Sequence, residues 1–139
     1  MKIKKVDDGY FVVLGRGEKI IENLLKLARD FAIPSGVISG VGAVMNAKLG
    51  FYHLSKKTYD ERFFADEHEL IGLSGNVSWL KDNPVIHCHI VMGNTQFAAI
   101  AGHLFEAEIA VTGEIFVFTK TVKVARCFDS KIGLNLMEP

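Results

Sequence analysis

The chain has 139 residues, the length of one domain, and 49% of them are hydrophobic while 23% are charged. This composition excludes a disordered chain, which lacks the apolar residues needed to offset the entropy of ordering. Sixteen basic residues balance sixteen acidic ones, which argues against a dedicated nucleic-acid binder and against attachment to an anionic membrane. Zero net charge also favours self-association, because little long-range repulsion separates the copies.

One amphipathic helix is predicted from Glu18 to Phe31, where apolar residues fall on one broad stripe. Pro34-Ser35-Gly36 ends it. Most of the remaining chain has the β-branched, aromatic or alternating pattern of strands. The predicted strands are Tyr10–Leu14, Val37–Val44, Lys48–Leu54, Glu69–Trp79, Val85–Met92, Leu104–Val111 and Glu114–Val124.

This order of elements predicts the fold class. Many strands with one long helix indicate an α+β domain with a mainly antiparallel, twisted sheet, because parallel βαβ units need more helices between the strands. Phe97–Ala101 is predicted to form a short turn of helix, and Gly40 and Gly42 indicate a bulge. Without a repeat or a linker, we expect residues 1–139 to form a single domain.

The cysteines and the N-terminus bear on the compartment. Cys88 and Cys127 have neither zinc-ribbon nor redox-pair spacing, which fits reduced thiols in the cytoplasm. The first residues lack the apolar run of a signal peptide, and no run of about 18 apolar residues would span a membrane. We therefore expect a cytoplasmic protein.

The most informative stretch contains His87, Cys88 and His89. On a strand, side chains alternate between faces, so the two histidines share one face and Cys88 points into the core. Their Cα atoms would lie about 6.6 Å apart, from a rise of ~3.3 Å per residue. His103 opens the next strand, and pairing of the two strands would bring it alongside. Three histidines around zinc leave a fourth position open, as in catalytic zinc sites.

Other polar residues are weaker candidates. Glu106 and Glu108 follow His103 and are expected to share a face with Leu104, while His103, Phe105 and Ala107 share the other. Each of these glutamates, or Glu114, could hold a ligand histidine in place or act as a general base. Arg16 is a further candidate for a residue that contacts the substrate or supports the site. His53 and His68 are expected at the surface.

With these residues, the chain resembles the PPC domain, the plant and prokaryote conserved domain, from about Tyr10 to Lys120. The resemblance rests on the order and spacing of several segments. They are Arg16-Gly17-Glu18, Gly40-Val41-Gly42-Ala43, Leu49-Gly50-Phe51-Tyr52, Glu69–Asn76, His87-Cys88-His89 and Gly102-His103-Leu104.

The resemblance implies an antiparallel sheet flanked by helices and assembled as a homotrimer. Prokaryotic members are stand-alone proteins often described as predicted DNA-binding proteins, and some resemble zinc binders through a histidine set that here is His87, His89 and His103. The AT-hook of plant members is absent from this sequence, and the acidic segment Asp66–Ile71 replaces their Gly-Arg-Phe-Glu-Ile-Leu motif.

Three functional interpretations follow. The first is a homotrimeric metal-binding protein that acts as a binding or regulatory protein and associates with DNA. The second is a zinc-dependent enzyme that acts on a small molecule at the three histidines. The third is a structural trimer whose histidines serve a subunit interface. The sequence favours the first over an enzyme. It offers DNA only the Lys2, Lys4 and Lys5 cluster, which Asp7 and Asp8 follow at once, and the pair Lys56-Lys57.

Overall fold

The computed structural model describes residues 1–138, which form nine strands and one α-helix. The elements are β1 (Lys2–Val6), β2 (Gly9–Gly15), α1 (Ile20–Asp30), β3 (Ser35–His53), β4 (Thr58–Phe64), β5 (His68–Leu80), β6 (Asn83–Gly93), β7 (Ala99–Lys120), β8 (Ala125–Asp129) and β9 (Leu134–Glu138). All strand pairs are antiparallel except a short contact between β5 and β8. The predicted α+β class with a mainly antiparallel sheet is therefore confirmed.

Two long strands organise the sheet. β3 pairs with β5 and β7, and β6 also pairs with both β5 and β7. These four strands thus close a ring in which each one has two partners, which leaves no free edge between them. β2 extends the sheet beside β7, and β4 pairs with the end of β3.

The helix covers one side of this sheet. Ile20, Leu24, Leu27 and Ala28 face inward and are 0–1% exposed, which confirms the predicted apolar stripe. They join one cluster of buried residues that includes Cys88 and Ile90 of β6 and Leu104 and Ala107 of β7. No helix within residues 1–138 has the length and apolar character needed to span a membrane.

Strands β3 and β7 each span a region that the sequence predicted to form two strands. The break expected between 44 and 48 is a set of register shifts within β3, and β7 runs unbroken through 111–114. At Gly42 the register also shifts and φ is +153°. A Cβ there would meet the carbonyl oxygen of Thr112, so the bulge predicted from the glycines is confirmed.

The expected short helix at 97–101 is wrong. Asn94 instead organises a tight turn, in which its side-chain oxygen accepts hydrogen bonds from the backbone N–H groups of Gln96 and Ala98 at 3.0 and 2.9 Å. β7 begins directly afterwards, at Ala99. A local side-chain acceptor thus satisfies the backbone donors that a helix would otherwise have used.

Candidate metal centre

Strand register brings three histidines together. His87 and His89 lie two residues apart on β6, and His89 is directly opposite His103 in the ladder between β6 and β7. Cys88 between them points the other way and is fully buried. Burial raises the pKa of its thiol to about 12, so Cys88 is an inert core residue, as predicted.

The three imidazoles converge on a common point. One ring nitrogen from each lies within 4.8 Å of the others, and the two Nε2 atoms of His87 and His89 are 3.3 Å apart. Nitrogens that share a tetrahedral zinc ion at 2.0–2.1 Å lie ~3.3 Å from one another. The three side chains come from one chain, so this set of donors does not need a second subunit to complete it.

Aromatic rings hold His103 in place. Its ring centroid lies 5.1 Å from that of Tyr59 on β4 and 5.0 Å from that of Phe105 on β7. Gly50, which pairs with His103 across the ladder, makes this packing possible. A Cβ at Gly50 would lie 2.5 Å from the ring of Phe105 and 2.8 Å from that of Tyr59. The part of β7 that carries His103 is therefore packed against aromatic rings.

Burial favours the neutral form of two of these imidazoles, those of His87 and His103. Desolvation, with smaller contributions from His87 and His89, lowers the pKa of His103 to about 4. Desolvation also lowers the pKa of His87, and the charge of Arg126 adds to this effect. A neutral imidazole is the form that binds a metal ion.

One nitrogen in the cluster lacks a hydrogen-bond partner. The Nδ1 atom of His103 is buried, and no donor or acceptor within residues 1–138 reaches it. Such an orphaned polar atom is costly unless a ligand or ion satisfies the site. The donor chemistry, the nitrogen spacing and this orphaned atom together fit a zinc ion, which these three histidines would hold with one position left open.

Glu106 lies near His103 in sequence but serves the helix. Its carboxylate accepts hydrogen bonds from the backbone N–H groups of Ile21 and Glu22 at 2.8 and 3.1 Å. The N-cap residue of α1, Lys19, makes no side-chain cap of its own. Glu106 therefore satisfies donors that every helix N-terminus leaves free, and its charge complements the helix dipole.

A bulge in β7 explains why the expected faces are wrong. Leu49 pairs with Leu104 and Lys48 with Glu106, so Phe105 is an extra residue in the ladder. Leu104 and Ala107 consequently both enter the core, although strict alternation had placed them on opposite faces. An extra residue inverts the alternation beyond it.

The other charged candidates also bond elsewhere. Glu108 accepts a hydrogen bond from Asn46 Nδ2 at 3.0 Å, and Glu114 is exposed on the neighbouring part of β7. Arg16 donates to the carbonyl oxygen of Ala110 at 2.6 Å and pairs with Glu67 at 3.1 Å. Within residues 1–138, no hydrogen bond joins any of these side chains or Glu106 to the three histidines.

The two histidines outside the cluster, His53 and His68, differ in their exposure to solvent. His53 is partly exposed and pairs with Asp60 at 2.7 Å, in keeping with a surface position. His68 is only 8% exposed, and its Nδ1 lies 2.8 Å from the carbonyl oxygen of Asp66. The predicted surface position of His68 is therefore wrong, because β5 begins at His68 and carries it against the ring of Phe64.

Sequence reasoning missed two residues beside the histidines, Tyr59 and Arg126. Tyr59 is separated from His103 by more than forty positions in the sequence, and Arg126 stands alone in a short strand. Neither belongs to a local motif, so only the pairing of β4 with β3 and of β8 with β5 reveals them.

The fold and the site together define a small, mainly antiparallel domain that carries a candidate metal centre of three histidines. The family model of the Plants and Prokaryotes Conserved (PCC) domain matches residues 1–121. The chain belongs to this family, which is the PPC family that the sequence motifs resemble. No curated protein sequence matches the chain.

Solved structures share the fold over nearly the whole chain. A candidate DNA-binding protein from Bacteroides thetaiotaomicron is 30% identical with a TM-score of 0.95, and the match covers 99% of this chain and 96% of that one. A candidate DNA-binding protein from Ralstonia eutropha is 30% identical with a TM-score of 0.92, at the same coverages. A metal-containing protein from Archaeoglobus fulgidus is 28% identical with a TM-score of 0.86, again covering 99% and 96%.

Proposed function

We propose that this chain forms a single domain and a homotrimer, and that it binds one zinc ion per chain through His87, His89 and His103 in the cytoplasm. The convergence of three imidazole nitrogens within 4.8 Å carries the proposal. The similarity to a protein described as metal-containing supports it. Both cysteines are free thiols, in keeping with a reducing compartment.

An exposed apolar face supports self-association. Phe11 of β2, Val37 and Val41 of β3, and Phe116 and Phe118 of β7 lie on one face of the sheet, which we call the outer face. Val37 and Val41 are each 51% exposed and Phe116 is 41% exposed. Phe116 packs on Phe11 with ring centroids 4.7 Å apart. Contiguous apolar surface of this kind is typical of an interface, and we propose that copies of the chain cover it.

DNA is the partner that the names of two structural neighbours suggest. The charge of this chain gives such binding little support, because its net charge is zero and affinity for DNA rests on phosphate neutralisation. Lys2, Lys4 and Lys5 are exposed together on β1. If they contact DNA, a fluorescently labelled duplex will bind at 50 mM salt and dissociate by 200 mM. Absence of binding at both salt concentrations would remove DNA from the proposal.

A zinc-dependent enzyme is the alternative function. A bound zinc ion with an open position would polarise a carbonyl group or activate water. An enzyme also needs a group that transfers protons within reach of the substrate. Glu106, Glu108 and Arg16 are engaged elsewhere, as their hydrogen bonds show. The binding protein is therefore the better-supported function.

The test is metal content together with mass in solution. Purified, untagged protein is expected to carry about one zinc per chain by mass spectrometry and to sediment as a trimer. Protein that remains metal-free after incubation with excess zinc, whatever its mass, would refute the metal centre. A zinc-bound monomer would refute the trimer alone.

A further inference from the structure

A cavity of about 240 Å³ lies directly beside the histidine cluster. His87 and His103 form part of its wall, and Arg126 from β8 forms another part. Most of the remaining wall is apolar. Its apolar side chains include Leu80, Val85 and Leu134. The cavity therefore combines two of the three candidate zinc ligands, one cationic side chain and a mainly apolar lining.

Neutral groups hold the guanidinium of Arg126 in place. Its Nε donates to Ser78 Oγ at 2.6 Å, one terminal nitrogen donates to Asn76 Oδ1 at 3.1 Å, and the other donates to the carbonyl oxygen of Asn135 at 2.8 Å. These bonds use three of its five N–H donors. Within residues 1–138 the other two donors have no partner, so the side chain is oriented but can still bind a ligand.

The strand register places this cation next to the histidines. Along the ladder between β5 and β6, Asn76 is opposite His87 and Ser78 is opposite Val85. Asn76 and Ser78 are the two side chains that fix Arg126. Arg126 therefore lies over the same face of the sheet as His87 and Val85, and it lines one cavity with His87 and His103.

The charges at this site do not balance. Arg126 forms no ion pair with a carboxylate within residues 1–138, and the residues that line the cavity include no acid. A divalent ion on three neutral imidazoles adds two further positive charges. Partly desolvated cations this close together repel each other unless an anion lies between them. The described residues supply no negative group at this site, so with zinc bound an anionic ligand would be favoured there.

We propose that this cavity binds a small organic monocarboxylate, held between the zinc ion and Arg126. Arginine presents planar N–H donors that suit a carboxylate, and the apolar wall suits a short hydrocarbon body rather than an inorganic anion. The volume limits the ligand to a few carbon atoms, because pockets for drug-sized molecules begin at roughly 300 Å³. The inference rests on the proposed zinc centre and names the class of ligand for its open position.

Calorimetry with butyrate tests this proposal on zinc-loaded protein of measured zinc content. Butyrate is expected to bind, whereas butyramide, which has the same shape without the charge, is not. Arg126→Gln is expected to weaken butyrate binding on the order of tenfold or more, because the variant loses the charge-assisted hydrogen bonds to the carboxylate. Zinc content is expected to remain at the wild-type level.

A second variant covers the case in which Arg126→Gln disturbs β8. Val85→Glu keeps Arg126 with its hydrogen bonds and places a carboxylate in the same cavity, opposite Ser78. This internal carboxylate is expected to pair with Arg126 and to abolish butyrate binding. Val122→Glu is the matched control, because Val122 is 69% exposed in the turn before β8 and does not line the cavity. It is expected to bind butyrate as the wild type does.

The outcomes separate the two proposals. If zinc binds at one per chain but butyrate does not, or if both Arg126→Gln and Val85→Glu bind butyrate like the wild type, the carboxylate site is refuted and the metal centre stands. If the wild-type protein takes up no zinc, the proposed function fails at the first measurement. The carboxylate proposal then fails with it, because the second cation is missing.

Discussion

Two polar clusters on the same strand, only three residues apart, differ in how completely they are satisfied. The carboxylate of Glu106 accepts hydrogen bonds from two N–H groups of α1, and both oxygens are occupied. The imidazole of His103 has a buried nitrogen that finds no partner in residues 1–138, and it lies against two further imidazoles. A polar group whose hydrogen bonds are all made stabilises the fold. A cluster of side chains that point at one another and keep unused polar atoms is available to a ligand.

This contrast predicts opposite consequences of mutation. Changes in the histidine cluster are expected to remove binding and to spare the fold. Changes at Glu106 are expected to cost stability and to spare binding.

The largest effect is expected in metal content. His89→Ala is expected to reduce zinc from about one per chain to near zero, because two remaining imidazoles hold zinc weakly, while the circular dichroism spectrum stays unchanged. His53→Ala is the matched control, since His53 pairs with Asp60 away from the cluster. It should retain full zinc. Equal zinc content in the two variants, measured by mass spectrometry, would contradict the assignment of the ligands.

A comparably clear change is expected in mass. Phe116→Lys places a charge in the centre of the outer face, next to Phe11 and Phe118. If copies cover this face, sedimentation should show a shift from trimer to monomer, about a threefold fall in mass. Val122→Lys serves as the control, because Val122 is 69% exposed in the turn before β8. A Phe116→Lys protein that remains trimeric would show that the interface lies elsewhere.

A moderate effect is expected on stability at the other cluster. Glu106→Ala leaves the N–H groups of Ile21 and Glu22 without their acceptor, and loss of a helix cap typically costs about 1–2 kcal/mol in the free energy of unfolding. Urea denaturation measures this loss. Lys56→Ala, at an exposed position in the turn between β3 and β4, is expected to change stability by less than about 0.5 kcal/mol. Zinc content should be normal in both.

The smallest effect concerns pH and the metal-free protein. The pKa of His103 is about 4 in the folded state, below the ordinary value of about 6.5 in an unfolded chain. The unfolded state therefore binds more protons between these values, and the stability that His103 contributes above pH 6.5 is lost as the pH falls toward 4.

Urea midpoints at pH 7 and pH 5 measure that loss. The midpoint of the metal-free wild type is expected to fall between these pH values by more than that of His103→Gln, which has no imidazole to protonate. Equal falls in the two proteins would contradict a depressed pKa at this position.

The sequence predicts much of this molecule because much of it is local. The stripe from Ile20 to Ala28 determines a helix face, and the alternation around Cys88 places His87 and His89 on one side of a strand. The sequence also predicts that His103 lies beside these two histidines, since β6 and β7 follow each other in the chain and pair. Such features depend on a few neighbouring residues or on one strand pairing.

What the sequence did not predict depends on distant pairings. The bulge at Phe105 directs Glu106 toward the helix, and no local sequence pattern predicts this bulge. Arg126 and Tyr59 reach the histidines from strands β8 and β4, which are separated from them by turns and further pairings. Strand register explains this difference between predicted and unpredicted features, because one extra residue in a strand moves every side chain beyond it to the opposite face.

X-ray absorption spectroscopy at the zinc edge of the purified protein tests the central claim most directly. The proposed centre predicts three imidazole nitrogens and one oxygen at about 2.0–2.2 Å, with no sulfur at about 2.3 Å. A spectrum with a thiolate ligand, or with oxygen ligands only, would contradict the three-histidine centre and with it the function proposed for this chain.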